Sequence, residues 1–548
     1  MTKRLLLAGA MLAGGSAALS AQQDPRIDSV FATWNRTDGP GCVAGVRHNG
    51  NLVHLKSYGM ANLEYGVPLS VESISESGSV AKQFTAAALL LLEQQGKLSL
   101  DDDIRKHIPE IPDFGARITL RHLLTHTSGL RDQWALLSMA GWPPGTQVHS
   151  IEQIVHLISR QKQLNFPPGE FYLYSNTGYT LLAAVVKRVT GQSLADWSRQ
   201  HLFQPLGMRN TQWRDDFRKV VPGRATAYSR GPGGGAWVQD MPFTRVYGNG
   251  GLLTTVPDLL VWNDALTAGT APLSRELVLK METPMRLNDR TEIGYALGLG
   301  VGQWRGVRQV SHGGATAGYR TFLTRFPERN LSIAVLCNAG NANAGGYSDQ
   351  IAMKLLQPGD HQPPGAPVAI AAGELAPLAG VWRDTLTDRL LTFSIQNGQL
   401  AVTGGGPVAT LTHLGNLRFW HFAAGSFQFL RRGNALDLVQ SADGNHRYGR
   451  QVPIDTAAVR LADYAGRYWS DELEVGYDIA VHEGRLTASR AWEEPTWLSP
   501  IYTDGFAAPG RTVRFVRDAA GRVTGMRVYA GRAIDLRFTR VHDRENGK

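Results

Sequence analysis

"SGSVAKQFTAAALLLLEQQGKL", Ser77 to Leu98, opens on small polar residues and runs into an unbroken apolar stretch. Alanine and leucine are strong helix formers, and a helix that is apolar all round belongs inside a core. Ser79 and Lys82 therefore stand three residues apart where a buried helix begins. A helix start offers unpaired N–H groups and the positive end of the macrodipole, and a lysine at i+3 lies on the same face one turn later. Ser79 can thus act as a nucleophile with Lys82 as its base, provided burial or another cation keeps that amine neutral. The plainer alternative is a polar helix start. The spacing alone does not decide, because Ser159 and Lys162 repeat it late in the helical run "IEQIVHLISRQKQL", where no helix starts and a solvated face suffices.

Two further stretches bear on the choice. "FPPGEFYLYSNTGYTLLAAVVKRVTG" (166–191) places Tyr174-Ser175-Asn176 just before another apolar helix, and "QVSHGGATAG" (309–318) places His312-Gly313-Gly314 on a strand-like run. On a strand His312 and Gly314 share one face, and the glycine permits close backbone approach. Tyr247-Gly248-Asn249 and His48-Asn49-Gly50 repeat the same short patterns, but a Gly-rich run and a hairpin turn account for them.

Around these stretches the chain alternates helix and strand. "CVAGVRHNGNLVHLKSYGMA" (42–61) reads as two strands joined at Asn49-Gly50. "VRQVSHGGATAGYRTFLTRFPERNLSIAVLCNAG" (307–340) reads as three more strands, followed by a helix to about Leu356, with mostly helical text between. Residues 22–357 are expected to form an α/β body with a helical lobe. A Pro/Gly/Ala linker, 358–374, follows. Beyond it "LAPLAGVW" (375–382) matches "LADYAGRY" (461–468), and "NGQL" (397–400) matches "EGRL" (483–486), both at an offset of 86 residues. Two related units, 375–455 and 456–548, are expected as small antiparallel β-barrels or sandwiches.

The 548 residues are 43% hydrophobic and 19% charged, as in ordinary globular proteins. The net charge of +9 is not gathered into basic blocks with interleaved aromatics, so no nucleic-acid partner is expected. "MTKRLLLAGAMLAGGSAALSAQQDP" has the basic start, short apolar run and small residues of a signal peptide, 1–21, which places the mature protein in a periplasm or outside the cell. No cysteine follows closely enough for lipid attachment, and no later run has the ~20 apolar residues of a membrane span. Cys42 and Cys337 lie in apolar strand-like runs, either as two buried thiols or as one disulfide. His122 and His126 are spaced i, i+4 but lack the intervening glutamate of a zinc protease helix, and no H-x-H pair occurs; no metal or other cofactor is expected. No G-x-S-x-G occurs, so the nucleophile elbow of an α/β-hydrolase is missing.

In combination Ser79-x-x-Lys82, Tyr174-x-Asn176 and His312-x-Gly314, in this order, resemble the serine β-lactamase and penicillin-binding protein superfamily, particularly its class C, esterase and D-aminopeptidase branches. "ITLRHLLTHTSGL" (118–130) and "GNGGLLTTVPDLLVW" (248–262) extend the resemblance over nearly all of residues 30 to 357. It implies a β-lactamase/transpeptidase-like fold, an antiparallel sheet with helices, in which the first strand pairs with the last and so brings Cys42 near Cys337. It implies that Ser79 is acylated, that Lys82 and Tyr174 move its proton to the leaving group, and that Asn176 orients Lys82 and a substrate amide. The N–H groups of Ser79 and Ala315 would form the oxyanion hole. Where many relatives carry lysine this chain has His312, about a quarter protonated at neutral pH if unperturbed, which suits substrates without a carboxylate in that subsite. The tail resembles the D-aminopeptidase architecture, in which a loop of the last domain reaches the cleft; Asp504 and Glu493-Glu494 are candidates for that role. The resemblance thus implies a secreted serine hydrolase of small peptide, amide or ester substrates, a D-aminopeptidase, D-stereospecific peptidase or esterase. A β-lactamase, a D,D-carboxypeptidase and a non-catalytic penicillin-binding sensor or scaffold are the alternatives.

Overall fold

A computed structural model describes residues 23–541, apart from 358, 360–364, 405–406, 422–424, 433–434, 442–444, 453 and 492. The expected signal peptide lies outside the described residues.

Strands β1 (Cys42–His48) and β2 (Asn51–Tyr58) are the expected hairpin, turned by Asn49 and Gly50 at φ of 51° and 79°. Four strands come from the far end of the body: β3 (Gly300–Trp304), β4 (Val307–Thr316), β5 (Tyr319–Phe326) and β6 (Leu331–Cys337). All pair antiparallel in the order β3-β4-β5-β6-β1-β2. The first hairpin therefore docks on β6, Cys42 falls opposite Cys337 with Cα atoms 4.0 Å apart, and a disulfide joins them. Of the two readings open in the sequence, the structure contains the disulfide.

Because strand side chains alternate between faces, the sheet separates two cores. Val43, Ala334 and Leu336 face the helical lobe and helix α3 (Val256–Ala268). Ala44, Val46, Ile333 and Val335 face α4 (Ala344–Leu356) and the turn Ser29–Trp34. Helix α1 (Lys82–Gln94) runs through the first core with every residue from Lys82 to Leu92 buried, which explains why its sequence is apolar all round. Leu89 and Leu92, both 0% exposed, each contribute roughly 1.5–3 kcal/mol by burial. Against α1 packs α2 (Asn176–Thr190), the second apolar helix of the sequence.

The tail is two β units. Residues 466–541 form a closed eight-stranded barrel. Residues 380–450 form a nine-stranded sheet whose two end strands, Ala409–Thr410 and Thr412–His413, are separated by one residue, so the sheet curls back on itself. The 86-residue repeat survives in detail: Trp382 Nε1 donates to Leu378 O at 3.0 Å, and at the equivalent place Tyr468 Oη donates to Tyr464 O at 2.7 Å. The first unit encloses its own core, whereas the apolar interior of the last barrel is continuous with that of the helical lobe. A fully buried ion pair, Arg131 to Glu472 at 2.5 Å, also joins that barrel to the lobe.

Candidate active site

Ser79 occupies a 3₁₀ turn, Gly78–Ala81, that leads directly into α1. The turn lies against β4 so closely that a Cβ on Gly78, itself at φ 52°, would sit 2.6 Å from Ala315 N. A Cβ on Gly314 would sit 2.0 Å from Ser77 O and 3.1 Å from Ser79 N. Real side chains do not approach backbone so closely, so glycine at both positions lets the main chain at Ser79 and at Ala315 meet across one cleft. Ser79, Tyr174, Asn176, His312, Gly314 and Ala315 all line that cleft, whose volume is about 800 Å³.

Lys82 lies beneath Ser79 and is completely buried. Its Nζ is 3.1 Å from Ser79 Oγ, 3.0 Å from Asn176 Oδ1 and 2.5 Å from the carbonyl oxygen of Asn249. Burial holds its pKa well below the ordinary lysine value; Arg532 pushes the same way and Asp132 opposes. A neutral amine has two protons and one lone pair. Two carbonyl acceptors fix the protons, which leaves the lone pair to accept the Ser79 hydroxyl proton. Asn176 is held in turn: its backbone N–H and its Nδ2 donate to Asp132 Oδ2 at 2.7 and 3.0 Å, while Asp132 Oδ1 accepts from the N–H groups of Trp134 and Ala135 as a helix N-cap. One Nδ2 proton remains for a ligand.

The Tyr174 ring centroid stands 4.8 Å from Lys82 Nζ, and its hydroxyl lies buried beside Ser79 without a hydrogen bond of normal geometry. Burial pushes the phenol pKa up, an effect that Ser79 and Arg532 only partly offset. Tyr174 thus favours its protonated form and Lys82 its neutral form, so of the two it is the lysine that can accept a proton.

His312 is placed as expected but not charged as expected. It is buried at the edge of the cleft, and burial beside Lys82 depresses its pKa to about 3, so it is neutral at pH 7 rather than a quarter protonated. Its Nδ1–H donates to Gly313 O at 2.6 Å, which leaves Nε2 to accept from Tyr295 Oη at 2.9 Å. Burial also pushes the Tyr295 phenol well up, so it remains a donor. His126 packs against this ring cluster, 4.1 Å from Tyr174 between centroids, and its Nδ1 accepts from the Ser175 N–H at 3.1 Å. The two histidines read as structural are so: His122 serves a capping box, and His126 supports Tyr174.

The sequence reading missed four groups. Asn249, read as structural within its Gly-rich run, reaches the site through its backbone carbonyl, which no side-chain pattern reveals. Asp132 had one visible signal, an acidic residue ahead of a helix. Tyr295 and Arg532 had none. The candidates from the tail do not line the cleft: Asp504 accepts from Tyr464 Oη and Arg517 Nε, both at 2.9 Å, and Glu493 pairs with Arg490. Glu494 is also absent from the lining, and Arg532 of the last barrel stands there instead. In the second serine–lysine pair, Ser159 Oγ donates to His156 O at an exposed helix end.

Residues 27–357 match the family described as Beta-lactamase. A D-aminopeptidase of Brucella canis is 28% identical over 526 residues, which cover 92% of this chain and 96% of that protein. An octameric penicillin-binding protein homologue from Pyrococcus abyssi shares the fold with a TM-score of 0.55 and 24% identity, over 77% of this chain and 99% of that one. A D-stereospecific amidohydrolase from a Streptomyces species does so with a TM-score of 0.52 and 22% identity, over 61% of this chain and 99% of that one.

Proposed function

Since the chain belongs to the Beta-lactamase family and is a serine hydrolase, we propose that it cleaves amide bonds of D-aminoacyl substrates through an acyl-enzyme on Ser79. The observation that carries this reading is the Lys82 triangle: a buried amine with its protons committed to Asn176 and Asn249 and its lone pair facing Ser79 Oγ. Lys82 takes the Ser79 proton as Oγ attacks the carbonyl carbon. Negative charge on the carbonyl oxygen is received between the N–H groups of Ser79 and Ala315, where each donor is worth ~3 to 4 kcal/mol in the transition state. Tyr174 gives its proton to the departing nitrogen and is restored from Lys82. Water then attacks the ester by the same route in reverse, loses a proton to Lys82 and releases the acid. The neutral His312, tied to Tyr295, shapes the wall beside Ala315 without adding charge. The D-aminopeptidase relative, aligned over nearly its whole length, supports the choice of acyl donor.

We further propose export to a periplasm or the medium, on the basic, apolar and small-residue pattern of residues 1–21 and the Cys42–Cys337 bridge, which suits an oxidising compartment. N-terminal sequencing of the protein recovered from cells checks this; a retained Met1 would refute it.

A panel of D- and L-alanyl p-nitroanilide, nitrocefin and p-nitrophenyl acetate tests the reaction. The D-anilide should turn over best and the L-anilide should lag by at least tenfold. Preference for nitrocefin, or equal use of the two anilides, would contradict the reading.

A further inference from the structure

We propose that Arg532, carried by the last barrel, recognises a carboxylate on the substrate; the inference rests on the hydrolase reading of the cleft and specifies its substrate class. Arg532 lies in the turn between the final two strands, Val523–Ala530 and Ala533–Val541, and its guanidinium stands 4.7 Å from the Tyr174 ring centroid. The turn is not a loose surface loop. Asp132 N–H and Asn165 Nδ2 donate to Arg532 O at 3.1 and 3.0 Å, and Ile534 N–H donates to Asn165 Oδ1 at 2.8 Å. Arg131, itself held by Glu472, donates to the carbonyls of Ile534 at 3.0 Å and Asp535 at 3.1 Å. Residues 131 and 132 therefore fix the barrel turn on one side and Asn176 on the other, so Arg532 keeps a defined place relative to Lys82 and Ser79.

The charges around the cleft give Arg532 its meaning. Two carboxylates line the cleft: Glu76 is paired with Arg214 at 2.8 Å and Arg224 at 3.7 Å, and Asp240 accepts from Ser229 Oγ at 2.6 Å. Arg320 donates to the carbonyls of Ala317 and Tyr319. Arg532 is exposed to the cleft and has no carboxylate partner among the described residues. A carboxylate would meet a planar fork of N–H donors that matches its two oxygens. The last barrel thus supplies a cation to the cleft, where the candidates from the tail had been the acidic residues Asp504 and Glu493-Glu494. The sequence reading rested substrate choice on the charge of His312; on this proposal the selecting charge is that of Arg532.

The test has two arms. Calorimetry on the full chain carrying Ser79→Ala compares N-acetyl-D-alanine with N-acetyl-D-alaninamide, with and without Arg532→Ala or Arg532→Lys. The acid should bind about tenfold better than the amide, lose that margin in Arg532→Ala and recover part of it in Arg532→Lys, as a charge-assisted hydrogen bond requires. Equal binding of both ligands, or an Arg532→Ala loss shared by both, overturns the proposal. The second arm, on the active enzyme, finds which side of the scissile bond carries the anion. D-alanyl-D-alanine against D-alanyl-D-alaninamide probes the leaving side; D-aspartyl against D-asparaginyl p-nitroanilide probes the acyl side. Arg532→Ala should raise KM for the acid of one pair about tenfold more than for its amide, with the loss in KM rather than kcat. No selective loss in either pair overturns it. Selective binding of the acid by a chain that hydrolyses none of the four would refute the hydrolase reading and leave the anion site standing.

Discussion

Replacing Gly314 by alanine tests how the site is assembled. The added Cβ would lie 2.0 Å from Ser77 O, 3.0 Å from Ser77 C and 3.1 Å from Ser79 N. These are backbone atoms, so no side chain can swing aside. Ordinary contact begins near 3.4 Å, so β4 and the nucleophile turn must part by more than an ångström. A misplacement of about 1 Å at a reacting centre costs roughly 10²-fold in rate, and loss of one oxyanion donor costs a similar factor. Overpacking adds about 1–3 kcal/mol of destabilisation. Gly313 is the internal comparison, because a Cβ there meets the Phe322 ring at 3.4 Å and Thr321 O at 4.0 Å, both ordinary contacts. Steady-state kinetics on D-alanyl p-nitroanilide, with thermal unfolding of each variant, should show Gly314→Ala losing about 10²-fold in kcat and Gly313→Ala far less. Equal losses in the two variants, or a Gly314→Ala enzyme within threefold of wild type, would mean that close approach of β4 to Ser79 does not build the oxyanion site.

In a pH profile of kcat/KM, activity should fall as pH drops because protonated Lys82 cannot accept the Ser79 proton, and no limb between pH 5 and 8 should belong to His312, held near 3. A limb near 6.5 that disappears in His312→Asn would contradict the neutral assignment. His312 and His122, lowered to about 3 and about 4, are neutral when folded but protonate near 6.5 when unfolded. The unfolded chain therefore binds more protons below 6.5, and stability should decline as pH falls from 6.5 towards 4; denaturant titrations that show a flat or rising trend would refute this. Arg131→Ala leaves Glu472 buried without its partner and should cost about 3–5 kcal/mol in thermal unfolding, whereas a loss under 1 kcal/mol would mean the barrel docks without this pair. Asp132→Asn has one acceptor where four N–H bonds converge on two oxygens, so an N–H is left facing an N–H at a cost of about 1–3 kcal/mol, with kcat falling as Asn176 turns; an unchanged kcat would separate Asp132 from catalysis.

The body was largely legible because its signals are local and periodic. The apolar run after Lys82 could only be a buried helix, Asn49-Gly50 set the first hairpin, and an offset of 86 residues announced two related β units. The residues gathered at the candidate cleft were legible for the same reason, since Ser79, Lys82, Tyr174 and Asn176 stand at or just before the starts of two apolar helices. What sequence could not convey is what burial and distant chain segments do to them. His312 looked like a partial charge because its enclosure by Tyr295 and Tyr174 is a tertiary fact. The Asn249 carbonyl belongs to the backbone and leaves no residue signature. Arg532 lies 450 positions after Lys82 in a hairpin turn that looks like any other until the barrel is docked.

The central claim is that Ser79 is the nucleophile and Lys82 its base. The most direct measurement is mass spectrometry of the protein after a fluorophosphonate probe, with peptide mapping of the adduct, on the wild type and on Ser79→Ala, Lys82→Ala and Ser159→Ala. The account predicts one adduct, on the peptide containing Ser79, absent in Ser79→Ala, slowed at least a hundredfold in Lys82→Ala and unchanged in Ser159→Ala, general base catalysis being worth about 10²–10⁴-fold. An adduct on another serine, or labelling that persists in Ser79→Ala, would contradict it.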